Sequence, residues 1–415
     1  MASPSAPTSP AISHAQGTAT KLLMVEQGGR GGEADYTALL TCALAQQGWS
    51  VELATADDHL YRPVEGVHVN HVFHYTRGHS GFGRAVRRLG LGWASNGLRF
   101  LAAVPRLMRL ARRCDVVHVQ GWERQSLGLI AVLCIRLCGR PIVQTWHNTF
   151  ERQQSLAATN RALRRLLARI TARTIVHTQA DLARIPSDVA ARTVVIPHGE
   201  YGGLARTGGA ADRGQARAAL GIPVDAPVTM MFGQLRLDKG LDDLLVAVSS
   251  VPGLWLIIAG EDLGALQANE QLLRSSKLSG RVIVREGFLE MAQAAELFAA
   301  TDTVALPYEV ASQSGVLLLA YGFQRPVIAY PVGGLIEAVQ DGETGWLCVA
   351  CDPQALARAL ADSVARGSEE CARRGLAGER MANDRFGWPA IARSTGEVYR
   401  EALAGACGAS RAHAL

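Results

Sequence analysis

The chain has 415 residues, 48% of them apolar and 19% charged, and carries a formal net charge of +5. That length exceeds what one hydrophobic core organises, so two domains are expected, and the composition excludes an intrinsically disordered protein. No apolar run is long enough to cross a bilayer: Leu127 to Ile135 stops at Arg136.

Residues 1–20 are rich in Ser, Ala, Pro and Thr without a basic start or an apolar core. They read as a disordered leader rather than a signal peptide, which points to a cytoplasmic protein. Strand-like runs follow at Lys21–Val25, Val51–Ala54, Val67–Phe73, Asp115–Val119, Pro141–Thr145, Thr174–Thr178 and Thr193–Pro197, with amphipathic segments such as Ala34–Gln47 and Ala157–Ala172 between them. Residues 199–214, rich in Gly, Ala, Arg and Asp, have no period and read as a linker. Alternation then resumes at Val228–Phe232, Leu254–Ala259, Arg281–Arg285, Thr303–Leu306, Pro326–Tyr330 and Trp346–Val349. This pattern predicts α/β architecture with two facing Rossmann-like domains, 21–205 and 206–385. A C-terminal helix and tail, 386–415, would pack back across them. Ligands of such sheets lie beyond the carboxyl ends of the strands.

Charge is unevenly placed. No acidic residue occurs between Glu65 and Asp115, a stretch that holds Arg77, Arg84, Arg87, Arg88, Arg99, Arg106, Arg109, Arg112 and Arg113, nor between Arg152 and Ala180. Within Arg84–Arg113, Leu101, Val104, Met108 and Ala111 recur at helical spacing. Such a helix either packs on a core with solvated arginines or rests on an anionic leaflet. The eight cysteines form no framework; Cys348/Cys351 and Cys134/Cys138 lack the further ligands of a zinc site, so buried thiols and no metal are expected.

Three segments carry chemistry. Gly28-Gly29-Arg30-Gly31-Gly32 before a helix fits a ligand-binding turn, a plain tight turn, or, with Ala34 and Glu52, a dinucleotide fingerprint. Arg236 and Lys239, in Gly233-Gln234-Leu235-Arg236-Leu237-Asp238-Lys239-Gly240, sit three apart past a strand, where two cations can neutralise a diphosphate or lie solvated beside a turn. Ser312-Gln313-Ser314-Gly315-Val316 opens a helix as an anion site or as an ordinary cap.

The order of these segments resembles the family 4 glycosyltransferases: Gly-Gly near the start, Thr145-Trp146-His147, Ile196-Pro197-His198-Gly199, Gly233-x-x-Arg236-x-x-Lys239-Gly240, Ala259-Gly260-Glu261, and Pro326-Val327-Ile328 with Gly333-Gly334. The resemblance spans roughly residues 20–400 and implies the GT-B fold and retaining transfer of a hexose from a UDP- or GDP-linked sugar. It implies that Arg236 and Lys239 hold the diphosphate, and that Gly233 and the amides around Ser314, Gly315 and Val316 belong to the donor site. Gly31 and Gly32 would line the cleft from the other domain, and His147 would stand beside the reacting sugar. The acceptor would be a glycan or lipid-linked molecule, with peripheral association at an anionic membrane surface; no nucleic-acid partner and no metal are expected. One departure is clear. The two glutamates that the family usually carries eight apart fall on Ala311 and Leu319. A nicotinamide dehydrogenase and a non-catalytic sugar-nucleotide-binding protein are the alternatives.

Overall fold

The computed structural model describes residues 19–412 apart from 30, 58, 60–63, 76–91, 123, 150–156 and 210. The described strands form two wholly parallel sheets. The first has β1 (Lys21–Val25), β2 (Ser50–Ala56), β3 (Val67–Phe73), β4 (Val116–Val119), β5 (Ile142–Thr145), β6 (Arg173–Val176) and β7 (Thr193–Val195), in the order β3-β2-β1-β4-β5-β6-β7. The second has β8 (Val228–Phe232), β9 (Trp255–Gly260), β10 (Val282–Glu286), β11 (Thr303–Leu306), β12 (Val327–Ala329) and β13 (Gly345–Leu347), in the order β10-β9-β8-β11-β12-β13. Every run read as a strand is one, with ends shifted by no more than two residues. Central parallel strands are covered on both faces and so appear in sequence as short apolar blocks; Leu22, Leu23, Met24 and Val25 are all buried.

The helices used below are α1 (Gly32–Gln46), α2 (Gly92–Ala111), α3 (Gln125–Arg136), α4 (Ala157–Ile170), α5 (Gly202–Arg206), α6 (Leu241–Ser249), α7 (Met291–Ala300), α8 (Gly315–Gly322), α9 (Pro353–Phe386) and α10 (Trp388–Ala412). On one face of the first sheet Tyr36, Leu40 and Leu44 of α1 share a core with Ile391, Val398 and Tyr399 of α10. The last helix of the chain thus completes the N-terminal domain. Phe100, Val104 and Leu107 of α2 and Val132 and Ile135 of α3 cover the other face. In the second domain α6 and the start of α9 cover one face, and α7 and α8 the other.

Two expectations are corrected. Residues 199–214 are not a loose linker: Tyr201 and Ala205 are buried in the C-terminal core and α5 packs on α8, where Gly322 leaves room for the backbone of Tyr201 and Gly202. The boundary at 205–206 falls inside α5. The chain crosses earlier, between Ile196 in the N-terminal core and Tyr201 in the C-terminal one. The stripe Leu101, Val104, Met108, Ala111 is not a membrane face either, because Val104 and Ala111 are buried and Met108 packs against the same core, leaving only Leu101 exposed. Of the arginine-rich segment, Arg77, Arg84, Arg87 and Arg88 lie outside the described residues.

Candidate active site

Strand order reverses between β1 and β4 in the first sheet and between β8 and β11 in the second. At such a point the adjoining loops diverge and leave a crevice. The loops after β8 and β11 hold most of the residues expected at the donor site.

After β8 the chain turns tightly through Gly233, at φ +103, beneath Val316. Gly260, at the end of β9 with φ +143, approaches so closely that a Cβ there would lie 1.7 Å from the Gly233 carbonyl oxygen. Only glycine fits. A 3₁₀ turn, Leu237–Lys239, follows, with Arg236 as its N-cap and Lys239 as its last residue. Arg236 donates from Nε and Nη2 to the two carboxylate oxygens of Asp238, at 2.8 and 3.0 Å, and from Nη1 to Gln234 Oε1 at 3.0 Å. Lys239 Nζ lies 3.4 Å from the centroid of the Tyr308 ring, a cation–π contact. The Tyr308 hydroxyl, pushed up to about 12 by burial, hydrogen-bonds Ser314.

Ser314 is the N-cap of α8, its Oγ accepting from Leu317 N at 3.3 Å. That leaves the first-turn N–H groups of Gly315 and Val316 without an intrahelical acceptor, at the positive end of the helix. Gly315 also sits against Tyr201, whose Cε2 would be 3.0 Å from a Cβ there. Two cations and a helix N-terminus thus converge on one crevice, an arrangement that can bind a diphosphate. The family's two glutamate positions offer nothing to it. Ala311 and Leu319 are both buried in the apolar core, and the carbonyl of Ala311 lies under Gly333.

The glycine loop after β1 is built differently. Glu26 is buried, and its carboxylate accepts from Gly28 N at 2.5 Å, Gly29 N at 2.8 Å and the Thr55 hydroxyl at 3.0 Å. The amides of Gly28 and Gly29 are therefore occupied, and Glu52 receives the side-chain amide of Asn70 at 2.7 Å. The carboxylate that the dinucleotide reading needs for a ribose is thus engaged with Asn70. Gly31, at φ +83, and Gly32 have open space around them, so the start of α1 remains approachable. One turn on, burial and then the charge of Glu26 raise the Asp35 carboxyl to about 6.

His147 belongs to a cluster that gathers at the ends of β4 to β7. Its Nε2 meets Gln120 Oε1 at 2.9 Å and its Nδ1 meets His177 Nε2 at 3.0 Å, while His177 Nδ1 meets the Ile196 carbonyl at 2.9 Å. Burial, followed by the neighbouring histidines, holds His147 well below its ordinary value, and burial lowers His177. Two neutral rings own two ring protons. His177 gives one to Ile196 O and His147 gives the other to His177, so His147 Nε2 is left as an acceptor and Gln120 must turn its N–H₂ toward it. Both nitrogens of His147 are then engaged inside the protein. The half-buried ring can form cleft wall but carries no proton to a substrate. His198, with Nδ1 2.9 Å from Gly199 O, and Tyr36 pack against the same rings.

Asp181, Glu26, Gln120 and Tyr201 were not singled out from the sequence. For Asp181 a signal existed: Thr178-x-x-Asp181 is a capping pattern, and Thr178 does cap the short helix Gln179–Leu182. Glu26 turns back on Gly28 and Gly29, two and three residues along, as well as on Thr55, while Gln120 and Tyr201 act through contacts between distant segments that no local spacing announces.

The geometry agrees with comparisons to known proteins. The family model described as Glycosyltransferase Family 4 matches residues 30–199, and that described as Glycosyl transferases group 1 matches residues 212–381. A D-inositol 3-phosphate glycosyltransferase of Segniliparus rotundus is 29% identical over 402 residues, covering 91% of this chain and 86% of that protein. Other relatives of that name are matched over about half of their own length. Among solved structures, sucrose-phosphate synthase from Thermosynechococcus elongatus superposes with a TM-score of 0.72 at 21% identity, covering 93% of this chain and 100% of that one. Anabaena HepE, in complex with UDP and glucose, gives 0.68 at 22%, covering 91% and 98%. The chain belongs to the family 4 glycosyltransferases of GT-B fold. It is an enzyme that moves a sugar from a nucleotide sugar.

Proposed function

We propose that this enzyme transfers a hexose from a UDP- or GDP-linked donor to an acceptor hydroxyl with retention of configuration and without a metal. The convergence of Arg236, Lys239 and the open amides of Gly315 and Val316 carries the reading. As the sugar leaves, charge grows on the diphosphate, and preorganised donors in a crevice stabilise that charge without reorganising. Asp238 aims the guanidinium, and the Tyr308 ring holds the Lys239 ammonium close by. Gly233 keeps the loop tight, Ser314 caps the phosphate helix, and Gly31 and Gly32 border the cleft from the N-terminal domain. His147 contributes wall rather than proton transfer. The test is release of nucleoside diphosphate when purified protein meets UDP-glucose or GDP-mannose with an acceptor, in the presence of EDTA. Donor-dependent release supports the reading; release only after adding back a divalent cation sinks its metal-free part.

For the acceptor we favour a lipid-linked or envelope-directed glycan, handled by a cytoplasmic protein resting on the inner leaflet. Among the described residues no helix is long and apolar enough to cross a membrane. The support is a different surface from the buried stripe of α2. Leu98, Leu101, Ile130, Leu133, Leu137 and Leu166 are exposed on or beside α2, α3 and α4, which pack side by side and contain no acidic residue. Exposed arginines 109, 112, 113, 136 and 161 lie on or beside the same helices, while Arg165 and Arg169 are paired with Asp188. Such a face suits anionic lipid. The name of the bacterial relatives favours a second reading, a small phosphorylated polyol as acceptor. Sedimentation with anionic and neutral vesicles at low salt separates the two: equal indifference to both favours the small acceptor.

A further inference from the structure

The serine-rich turn that precedes α8 does more than cap it. Ser312 donates its hydroxyl to Oδ2 of Asp181, a residue of the other domain. The same buried carboxylate accepts from Thr178 Oγ1 at 2.7 Å and, on Oδ1, from Thr149 Oγ1 at 2.6 Å. The next residue of the turn, Gln313, accepts from His198 N at 2.8 Å, again across the domains. Behind the turn, Gly334 N donates to Ser312 O at 2.9 Å, and a Cβ on Gly334 would lie 2.2 Å from that oxygen. Residues 311–313 are thus clamped between Gly333–Gly334 on one side and Asp181 and His198 on the other. Ser314 and the amides of Gly315 and Val316 follow directly. A further crossing bond joins the same surfaces, from Gln179 and Ala180 amides to the Glu337 carboxylate at 3.4 and 3.2 Å.

We propose that Asp181 is a positioning residue for transfer: through Ser312 it sets the place of the phosphate-binding turn, so that the N-terminal domain controls the affinity of the donor site on the C-terminal one. The inference rests on the reading of Ser314–Val316 as phosphate ligands. Removing the Ser312 hydroxyl breaks the bond that fixes residue 312, and removing the charge of Asp181 weakens it; the two-residue distance from Ser312 to Ser314 passes any such shift to the open amides. Thr149 provides the internal control, because it serves the other oxygen of the same carboxylate without touching the turn.

The experiment is calorimetric binding of UDP and GDP to the intact chain and to Ser312→Ala, Asp181→Asn, the double variant, Thr149→Ala and Arg236→Ala, with melting temperatures measured alongside. The dissociation constant for the preferred nucleotide should rise about tenfold in Ser312→Ala and in Asp181→Asn. The double variant should be no weaker than the worse single one, because both act through one bond. Thr149→Ala should stay within about twofold of the parent. Binding in Ser312→Ala equal to the parent overturns the proposal, and so does Thr149→Ala weakening binding as much as Ser312→Ala, which would reduce Asp181 to a structural part. If Asp181→Asn does not fold, Ser312→Ala against Thr149→Ala still decides. Arg236→Ala separates the two levels: if it too binds like the parent, the phosphate reading has failed. If it alone weakens binding, only the positioning role has.

Discussion

Both halves of the molecule run their first strand into a glycine-rich loop at the point where strand order reverses, yet the two loops are wired in opposite ways. In the N-terminal half the Glu26 carboxylate consumes the amides of Gly28 and Gly29. In the C-terminal half the corresponding loop brings Arg236 and Lys239, and the neighbouring helix leaves its first-turn amides open. Topology places both loops alike; in one a buried carboxylate takes up the amides, and in the other two cations stand beside open ones. The halves also differ in titration. His118, His147, His177 and His198 all belong to the N-terminal half, and none of the residues 201–412 is a histidine.

The largest effect should come from the cations. Arg236→Ala or Lys239→Ala should lower turnover by roughly 10²-fold or more, since each removes preorganised charge at the leaving group. Melting temperature should change little in Lys239→Ala, which leaves the core intact. Steady-state rates at saturating donor check this, and wild-type rates in both variants would remove the asymmetry altogether.

The next test concerns acid. Burial lowers His118 and His198 to about 3, so their folded values lie below the ordinary value of 6.5. Between those limits the unfolded chain binds protons that the folded chain refuses, and stability falls as pH falls below 6.5. Each such histidine costs on the order of 1.4 kcal/mol per pH unit in that window. Denaturant midpoints from pH 7 to 5 should therefore drop steeply, with hydrogen exchange rising first around β4 to β7. A flat profile, or first opening in the C-terminal sheet, would contradict the assignment.

All thirteen strands among the described residues were legible because buried parallel strands write themselves as short apolar runs bounded by turns. The place of Arg236 and Lys239, in a turn just past a strand, was legible too, because they lie three apart in one short segment. What was hidden depends on where a side chain turns and on distant partners. The spacing of Glu26 and Gly28 does not say that the carboxylate will fold back onto the amides beside it. Nothing in the composition of residues 199–214 says that Tyr201 will slot beneath Gly315 and Gly322. The stripe on α2 has the period of any half-buried helix, and period alone does not say whether lipid or sheet covers it.

A smaller effect sharpens the contrast between the loops. Glu26→Gln keeps the shape but weakens charge-assisted bonds to Gly28, Gly29 and Thr55, at a cost of about 1–3 kcal/mol in stability. It should leave nucleotide affinity untouched. Smaller still is Ser314→Ala, which removes the cap of α8 and one hydroxyl, worth about 0.5–1.5 kcal/mol in donor binding. Donor titrations resolve a shift of that size.

The central claim is that the C-terminal crevice, and not the N-terminal glycine loop, holds the donor diphosphate. Calorimetric titration of the intact chain, Arg236→Ala, Lys239→Ala and Glu26→Gln with UDP, GDP and ADP tests it most directly. One nucleotide should bind the parent and Glu26→Gln with the same affinity and bind both cation variants at least tenfold more weakly. The opposite pattern, with affinity kept in the cation variants and changed in Glu26→Gln, would place the diphosphate on the N-terminal loop and contradict the account.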